Sequence, residues 1–145
     1  MIAPQLIDIF EIFYSQSDAP VQTQELIRQV LLRLVQDNDT LQHALVYLHS
    51  QERLILYATT DETVPALLKL QNESDYAGVL SDRQVIERQE SGQPVLLLPV
   101  VTMNEVAGVL RIAFAADTEI DTDTWVTFSR HFALAMENRQ LNTVM

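Results

Sequence analysis

The chain of 145 residues has the length of one ordinary domain, and 48% of its residues are hydrophobic, which is enough for a buried core. Its formal net charge of −11 repels phosphate backbones and anionic lipids, so we expect no binding to nucleic acids or membrane surfaces. It contains no cysteine, which excludes disulfides, thiolate zinc sites and cysteine nucleophiles. The N-terminus lacks the basic start of a signal peptide, and we expect a cytoplasmic protein.

The first predicted element is an amphipathic helix over residues 3–15. Leu6, Phe10 and Phe13 recur there at helical spacing. A lone helix of this length is marginal in water, so its apolar stripe must pack on another surface. That surface belongs either to the terminal helix of the same chain or to a second copy, and the sequence leaves both open. The three apolar residues are therefore a candidate dimer interface.

The predicted domain covers residues 19–145 and leaves residues 1–18 as a flanking element. It begins with a helix over about 19–36, whose apolar residues follow a helical period. Two runs rich in Leu, Val, Ile and Tyr follow, at 44–50 and 53–60. Only two residues separate them, which predicts an antiparallel hairpin.

The middle of the chain is predicted to be mainly helical. A short helix is expected over about 63–71 and a polar loop over 72–78. Ser81 and Gln84 have the spacing of a capping box, which predicts a helix over about 82–91.

The last third of the chain completes an α+β pattern. A second hairpin is predicted from strands 95–103 and 106–114, followed by a helix over about 122–142. Pro99 is expected to face away from a neighbouring strand or to lie at a bulge, and Gly108 to mark a close backbone approach. Adjacent antiparallel strands with helices at both chain ends predict an α+β fold. Its central antiparallel sheet has about five to six strands, with the N- and C-terminal helices packed on one face.

Four segments in this order resemble a GAF domain. They are the first hairpin ALVYLHSQERLILYATT, the step Gly92-Gln93-Pro94-Val95, the hairpin LLLPVVTMNEVAGVLRIAF, and the run Ala135 to Leu141, which fits A-x-x-N-x-x-L. The resemblance covers about residues 19–142 and implies a sensory or regulatory domain of signal transduction. It also implies a small-molecule site on the open sheet face and dimerisation through the flanking helices.

Two departures from the family pattern limit what the resemblance implies. The segment that covers the ligand pocket in many GAF domains is essentially absent here, which disfavours a deep, closed pocket of the cyclic-nucleotide type. The lack of cysteine excludes a covalently held bilin and a likeness to the GAF enzymes that reduce free methionine sulfoxide through cysteines.

Arg111 is the most informative single residue. In strand 106–114, alternation places Leu110, Ile112 and Phe114 on one face. Val109, Arg111 and Ala113 lie on the opposite face. A charge on the open sheet face needs a partner. Arg111 is either an anchor for an anion or carbonyl group of a ligand, or half of an ion pair with an acidic residue such as Asp75. Both residues are candidate ligand-binding positions.

Tyr47 and Tyr57 lie on the paired strands and are expected to share a face. There they would stack on a planar ligand and border a pocket together with Arg111. The alternative is half-buried cross-strand packing with wet hydroxyl groups.

No metal site is predicted. Four acidic residues alternate before the last helix: Asp117, Glu119, Asp121 and Asp123. The run lacks the central glycine of an EF-hand and has Phe128 where the bidentate glutamate belongs, so we expect a solvated loop and a helix cap. The histidines have no metal-like spacing and are expected to be surface or packing residues: His43, His49 and His131.

The combined prediction is a non-catalytic GAF-like domain that needs no cofactor. Its expected partners are a second copy of the chain and an unidentified small molecule. The alternative is a degenerate GAF domain that acts only in protein–protein contact or dimerisation and binds no ligand.

Overall fold

The computed structural model describes residues 23–144. Its elements in chain order are α1 (Thr23–Asp37), β1 (Leu41–Ser50), β2 (Arg53–Thr59), β3 (Leu67–Lys69), a 3-10 turn (Leu70–Asn72), α2 (Ser74–Asp82), β4 (Ile86–Glu90), β5 (Gln93–Thr102), β6 (Glu105–Phe114) and α3 (Thr122–Val144). In this part of the chain, no helix is both long enough and apolar enough to cross a membrane. The predicted helix over 3–15, with Leu6, Phe10 and Phe13, lies outside the described residues.

The six strands form one antiparallel sheet in the order β3-β2-β1-β6-β5-β4. Two predicted hairpins account for its centre. Ser50 pairs with Arg53 across the first turn, and Thr102 pairs with Glu105 across the second. Pairing of β1 with β6 then joins the two halves of the chain. The predicted α+β fold with a central antiparallel sheet is confirmed.

The α1–α3 face of the sheet carries the larger core. Helical spacing places Ile27, Leu31 and Leu34 of α1 inside, and Phe128 and Phe132 of α3 beside them, all fully buried. Strand residues at every second position complete this core: Leu96, Leu98, Val100, Leu110, Ile112 and Phe114. The terminal helices of the described chain therefore cover one face, as the sequence pattern predicts.

The α2 face carries a second, smaller core. Leu45 and Val109 project to it from the two central strands, and Tyr76 and Val79 of α2 pack on them. The alternation predicted for β6 is confirmed, because Val109 and Ala113 share this face whereas Leu110 and Ile112 lie on the other. Arg111, between them in sequence, lies on the α2 face.

Two strand residues have the backbone roles that the sequence predicts. A Cβ atom on Gly108 would lie 1.9 Å from the carbonyl oxygen of Tyr47, so the close approach of β1 and β6 requires glycine. Pro99 lies beyond Leu97, the last residue of β5 that pairs with β4, so its missing N–H disrupts no ladder on that side. The turn between β5 and β6 is at Met103 and Asn104, one residue earlier than predicted, and both have positive φ.

The predictions for residues 63–91 are wrong. The expected short helix is the edge strand β3 with a 3-10 turn, and the expected polar loop contains most of α2, which buries Tyr76 and Val79 on one face. The expected helix over 82–91 is instead strand β4. Arg83 has a φ of 55° and ends α2, so the apparent capping box at Ser81 begins no helix.

Pairing with β5 explains why residues 86–90 form a strand and not the predicted helix. Its burial alternates with a period of two, and it pairs with β5 from Ile86↔Leu97 to Glu90↔Gln93. Ser91 and Gly92, with φ of 53° and 80°, form the two-residue hairpin turn between the strands. Gly92 therefore reverses the chain between two strands and does not end a helix.

Candidate functional site

The α2 face contains a partly enclosed cavity of about 190 Å³ between the central strands, α2 and the segment that leads into β3. Its lining combines apolar and charged side chains: Leu45, Tyr47, Val64, Pro65, Leu68, Glu73, Tyr76, Arg88, Glu90 and Arg111. A larger depression of about 820 Å³ beside the β1–β2 turn is lined mainly by exposed polar residues such as Gln51 and Gln71. The smaller cavity is the better candidate site, because apolar walls with a few convergent polar groups are typical of ligand pockets.

Arg111 lies at the centre of the sheet, with Leu45 of β1 and Leu97 of β5 as its cross-strand neighbours. Its side chain is only 11% exposed. One guanidinium nitrogen donates to a carboxylate oxygen of Glu90 over 2.5 Å, and another contacts Nε2 of His43. Arg111 is therefore held from both sides by residues of its own chain.

Arg88 extends this contact into a chain of charged groups. Its Nε donates to Glu90 over 2.7 Å, and its Nη1 donates to Asp75 over 3.1 Å. The guanidinium carbon lies 5.2 Å from the centre of the Tyr76 ring, which is within range of a cation–π interaction. Glu90 thus bridges two arginines, and Asp75 pairs with Arg88 and not with Arg111.

The far end of this chain is His43, whose Nδ1 lies 3.5 Å from a carboxylate oxygen of Asp61. Burial and the charge of Arg111 lower the pKa of His43 below its ordinary value, against the opposing effects of Asp61 and Glu90. Hydrogen bonds from the side chain and backbone of Thr63 lower the pKa of Asp61. Asp61 therefore stays ionised, while His43 favours its neutral form.

Glu90 is the anionic centre of the network. Burial raises the pKa of its carboxyl group, but the charge of Arg111 and the hydrogen bonds from Arg88 and Arg111 outweigh that effect. The net result is a pKa below the ordinary value. Glu90 is therefore ionised at neutral pH and compensates the two arginines.

Tyr47 lines the cavity on the α2 face. Its hydroxyl donates to the carbonyl oxygen of Pro65 over 2.8 Å, and its ring meets that of Tyr76 edge to face at a centroid distance of 6.1 Å. Burial, with a smaller contribution from Tyr76, raises the pKa of Tyr47 to about 12. Its hydroxyl remains a neutral donor at physiological pH.

The prediction that Tyr57 shares a face with Tyr47 is wrong. The two-residue hairpin turn pairs Tyr47 with Leu56, so the next residue points to the opposite side. Tyr57 packs against the core of the α1–α3 face, and its carbonyl oxygen accepts a hydrogen bond from Gln24 over 2.6 Å. It does not line the cavity.

Sequence reasoning did not assign Arg88, Glu90 or His43 to the charged network beside the cavity. Arg88 and Glu90 were missed because β4 was predicted as a helix, so their shared inward face was not recognised. The alternating burial of residues 86–90 is the signal for a strand there. His43 was predicted as a surface or packing residue, whereas it contacts Arg111.

The cavity surrounds a small space with both apolar and charged groups. The cavity lining contains two arginines and two glutamates, so its formal charge is balanced. Such a lining favours a neutral polar or zwitterionic ligand, since a net charge would compete with pairs already formed. Among the described residues, no group of three or more His, Asp or Glu side chains is placed to hold a metal ion.

Comparison with solved structures identifies this architecture. The GAF domain of A. aeolicus nlh2, in an inactive state, superposes with a TM-score of 0.72 at 12% identity, covering 92% of this chain and 94% of that chain. The GAF domain of an Acinetobacter phosphoenolpyruvate-protein phosphotransferase gives a TM-score of 0.70 at 13% identity and covers 97% of both chains. The chain has a GAF-domain fold.

The same GAF fold also occurs in enzymes. Free methionine-R-sulfoxide reductase from Neisseria meningitidis, solved with its substrate, gives a TM-score of 0.73 at 12% identity, covering 97% of this chain and 88% of that chain. The fold alone therefore does not exclude catalysis. No protein-family model matches the sequence, and no curated protein matches it.

Proposed function

We propose that this chain is a non-catalytic sensory or regulatory domain that binds a small polar molecule in the cavity on the α2 face. The observation that carries the proposal is the position of Arg111, which is nearly buried at the centre of the sheet and lines a cavity of about 190 Å³. A buried guanidinium with a cavity beside it is suited to bind a carbonyl or carboxylate group. The absence of cysteine supports a role other than thiol-dependent reduction.

A binding screen with a matched pair of variants tests this proposal. Leu68 lines the cavity, whereas Leu67, beside it on β3, is 41% exposed. Free amino acids and small sugars, which are zwitterionic or neutral, are screened by calorimetry against the full chain, Leu68→Phe and Leu67→Phe. We expect a compound whose affinity falls at least about tenfold in Leu68→Phe and is unchanged in Leu67→Phe. Absence of binding, or equal binding to both variants, would contradict the proposal.

A second candidate function is a GAF domain that serves only in protein–protein contact. Two observations favour it. The cavity is smaller than the ~300–1,000 Å³ that is usual for ligand pockets. Both arginines in it already have carboxylate partners, Glu90 and Asp75. If this candidate is correct, the screen finds no ligand.

Dimerisation through the terminal helices is part of both candidates. The proposed contact is the apolar stripe Leu6, Phe10 and Phe13 of the predicted N-terminal helix, which must pack on some surface. Sedimentation of the full chain and of its Phe10→Asp variant tests it. We expect the full chain to sediment as a dimer and the Phe10→Asp variant as a monomer. If both sediment as monomers, the proposed dimer is wrong.

A further inference from the structure

A second concave surface lies along the edge of the sheet beside α3 and shares no lining residue with the cavity. It is a groove of about 470 Å³ between α3 and the end of β5 that β4 leaves unpaired. Its walls are mostly apolar and are formed by Val126, Ala133 and Leu134 of α3, Pro99 and Val101 of β5, and Val85. We call it the α3 groove.

The α3 groove exposes apolar surface. Leu134 is 52% exposed and Val85 is 36% exposed, and both line it. Met103, which is 57% exposed, lies in the adjoining turn, where its N–H donates to Glu137 of α3. Contiguous exposed apolar groups of this kind mark an interaction surface, whereas scattered ones do not.

The charge of the α3 groove is opposite to that of the protein. Arg83 and Arg130 line it, and no acidic residue of the described part of the chain does, although the chain has a net charge of −11. Arg83 donates to the carbonyl oxygen of Asn104, and within the described residues neither arginine forms a salt bridge. Two cations without carboxylates beside an apolar floor favour an acidic, amphipathic occupant.

The backbone of the α3 groove favours a helix over a strand as its occupant. A strand would have to extend the sheet from the unpaired edge of β5, where Pro99 has no N–H to offer. A helix needs only side-chain contacts, and the α3 wall from Val126 to Leu134 extends about 12 Å, or roughly two helical turns. Apolar residues at i, i+3 or i+4, and i+7 of a partner helix match that length.

A symmetric contact with a second copy is disfavoured by charge. Two-fold packing of this patch on itself would bring Arg83 and Arg130 of both chains, four cations in all, into one interface. We propose that the α3 groove binds an amphipathic helix of a partner protein whose apolar stripe is flanked by acidic side chains. This surface is separate from the cavity on the α2 face, and the two proposals fail independently.

A pair of synthetic peptides tests the proposal. The first is a helix of about 18 residues with leucines at i, i+4, i+7 and i+11 and glutamates on both flanks, and the second has lysine in place of each glutamate. We expect the full chain to bind the glutamate peptide at least tenfold more tightly than the lysine peptide. Non-specific attraction to a chain of charge −11 predicts the reverse order, so the result discriminates.

Charge reversal in the α3 groove should invert this preference. In R83E/R130E, we expect the glutamate peptide to bind about tenfold more weakly and the lysine peptide more tightly. The matched control R28E/R33E changes the same number of charges on exposed arginines of α1, and there we expect less than a twofold change. Leu134→Ser should lower the affinity for the glutamate peptide roughly fivefold, since it removes exposed apolar contact area.

Four results would overturn the proposal. The first is that neither peptide binds the full chain, and the second is that R83E/R130E and R28E/R33E have equal effects on peptide affinity. The third is that the chain sediments as a dimer that Leu134→Ser dissociates, which would assign the groove to a second copy. The fourth is that the glutamate peptide binds only when Phe10→Asp is introduced, which would assign the groove to the N-terminal segment of the chain itself.

Discussion

The two faces of the sheet use the same alternating strands for different purposes. On the α1–α3 face the inward side chains are aliphatic or aromatic and almost fully buried, with Phe114, Trp125 and Phe128 in successive edge-to-face contacts of 5.7 and 5.6 Å. On the α2 face the strands add Arg88, Glu90 and Arg111 to a smaller apolar core.

The two faces differ because helices cover more of the α1–α3 face than of the α2 face. α1 and α3 are long helices that bury continuous apolar stripes, whereas α2 has nine residues and buries only Tyr76 and Val79. The uncovered part of the α2 face leaves room for a cavity and for charged groups that retain access to water. The α1–α3 face therefore contains the larger buried core, whereas the α2 face contains the cavity and the charged network.

The largest expected effect tests the stabilising role of the α1–α3 face. Phe128→Ala removes a fully buried ring between α3 and the sheet and should lower the free energy of unfolding by about 3–5 kcal/mol. Leu134→Ala, on the exposed side of the same helix, should change it by less than about 0.5 kcal/mol. Urea denaturation measures both, and equal losses would contradict the assignment of the main core.

A smaller effect is expected from the charged network of the α2 face. Glu90→Gln leaves Arg111 without a carboxylate, and should cost about 1–2 kcal/mol because Glu90 is one-third exposed, between a surface and a buried pair. Glu25→Gln, which breaks the exposed pair with Arg28, is the matched control and should cost less than about 0.5 kcal/mol. Denaturant unfolding measures both losses. Equal losses in Glu90→Gln and Glu25→Gln would mean that the network stabilises the fold no more than an exposed ion pair does.

The two tyrosines of the first hairpin give a matched comparison between the faces. Tyr47→Phe removes the hydroxyl that donates to Pro65 and should cost about 1 kcal/mol. Tyr57→Phe on the opposite face should change the free energy of unfolding by less than about 0.5 kcal/mol. A larger loss from Tyr57→Phe would indicate that its hydroxyl has a structural role and would contradict this comparison.

The smallest expected effect is a dependence of stability on pH through His43. Its pKa is lowered in the folded protein, so the unfolded chain binds a proton more readily at this residue. The stability contribution of neutral His43 is complete above the unfolded value of 6.5 and is progressively lost as the pH falls below it. The free energy of unfolding should be lower at pH 5.5 than at pH 7.5, and this decrease should be smaller in His43→Gln than in the unaltered chain. An identical decrease in both proteins would contradict the role of His43.

Much of the fold is predictable from the sequence because strong local patterns agree with long-range packing. The hairpins, Gly108 and the alternation around Arg111 all follow from period-two patterns and short turns. The helix cap at Asp121 is also as expected, with the Thr124 hydroxyl donating to it over 2.7 Å. These features need no information from distant parts of the chain.

The site was harder to predict because it depends on pairing between distant segments. β4 has a local pattern that resembles a capped helix, and only its pairing with β5 makes it a strand. That pairing brings Glu90 to Arg111 and Asp75 to Arg88. The face of Tyr57 could have been predicted from the sequence. A two-residue turn pairs Tyr47 with Leu56, and the residue after Leu56 must point to the opposite face.

Chemical-shift mapping by nuclear magnetic resonance shows directly which face of the sheet a small molecule contacts. The full chain is titrated with the small polar compounds of the binding screen, and the amide signals of both sheet faces are followed. We expect the largest changes around Arg88, Glu90, Arg111 and Tyr76, with little change on α1 and α3. Changes centred on the α3 groove, or no changes with any compound, would contradict a ligand site on the α2 face.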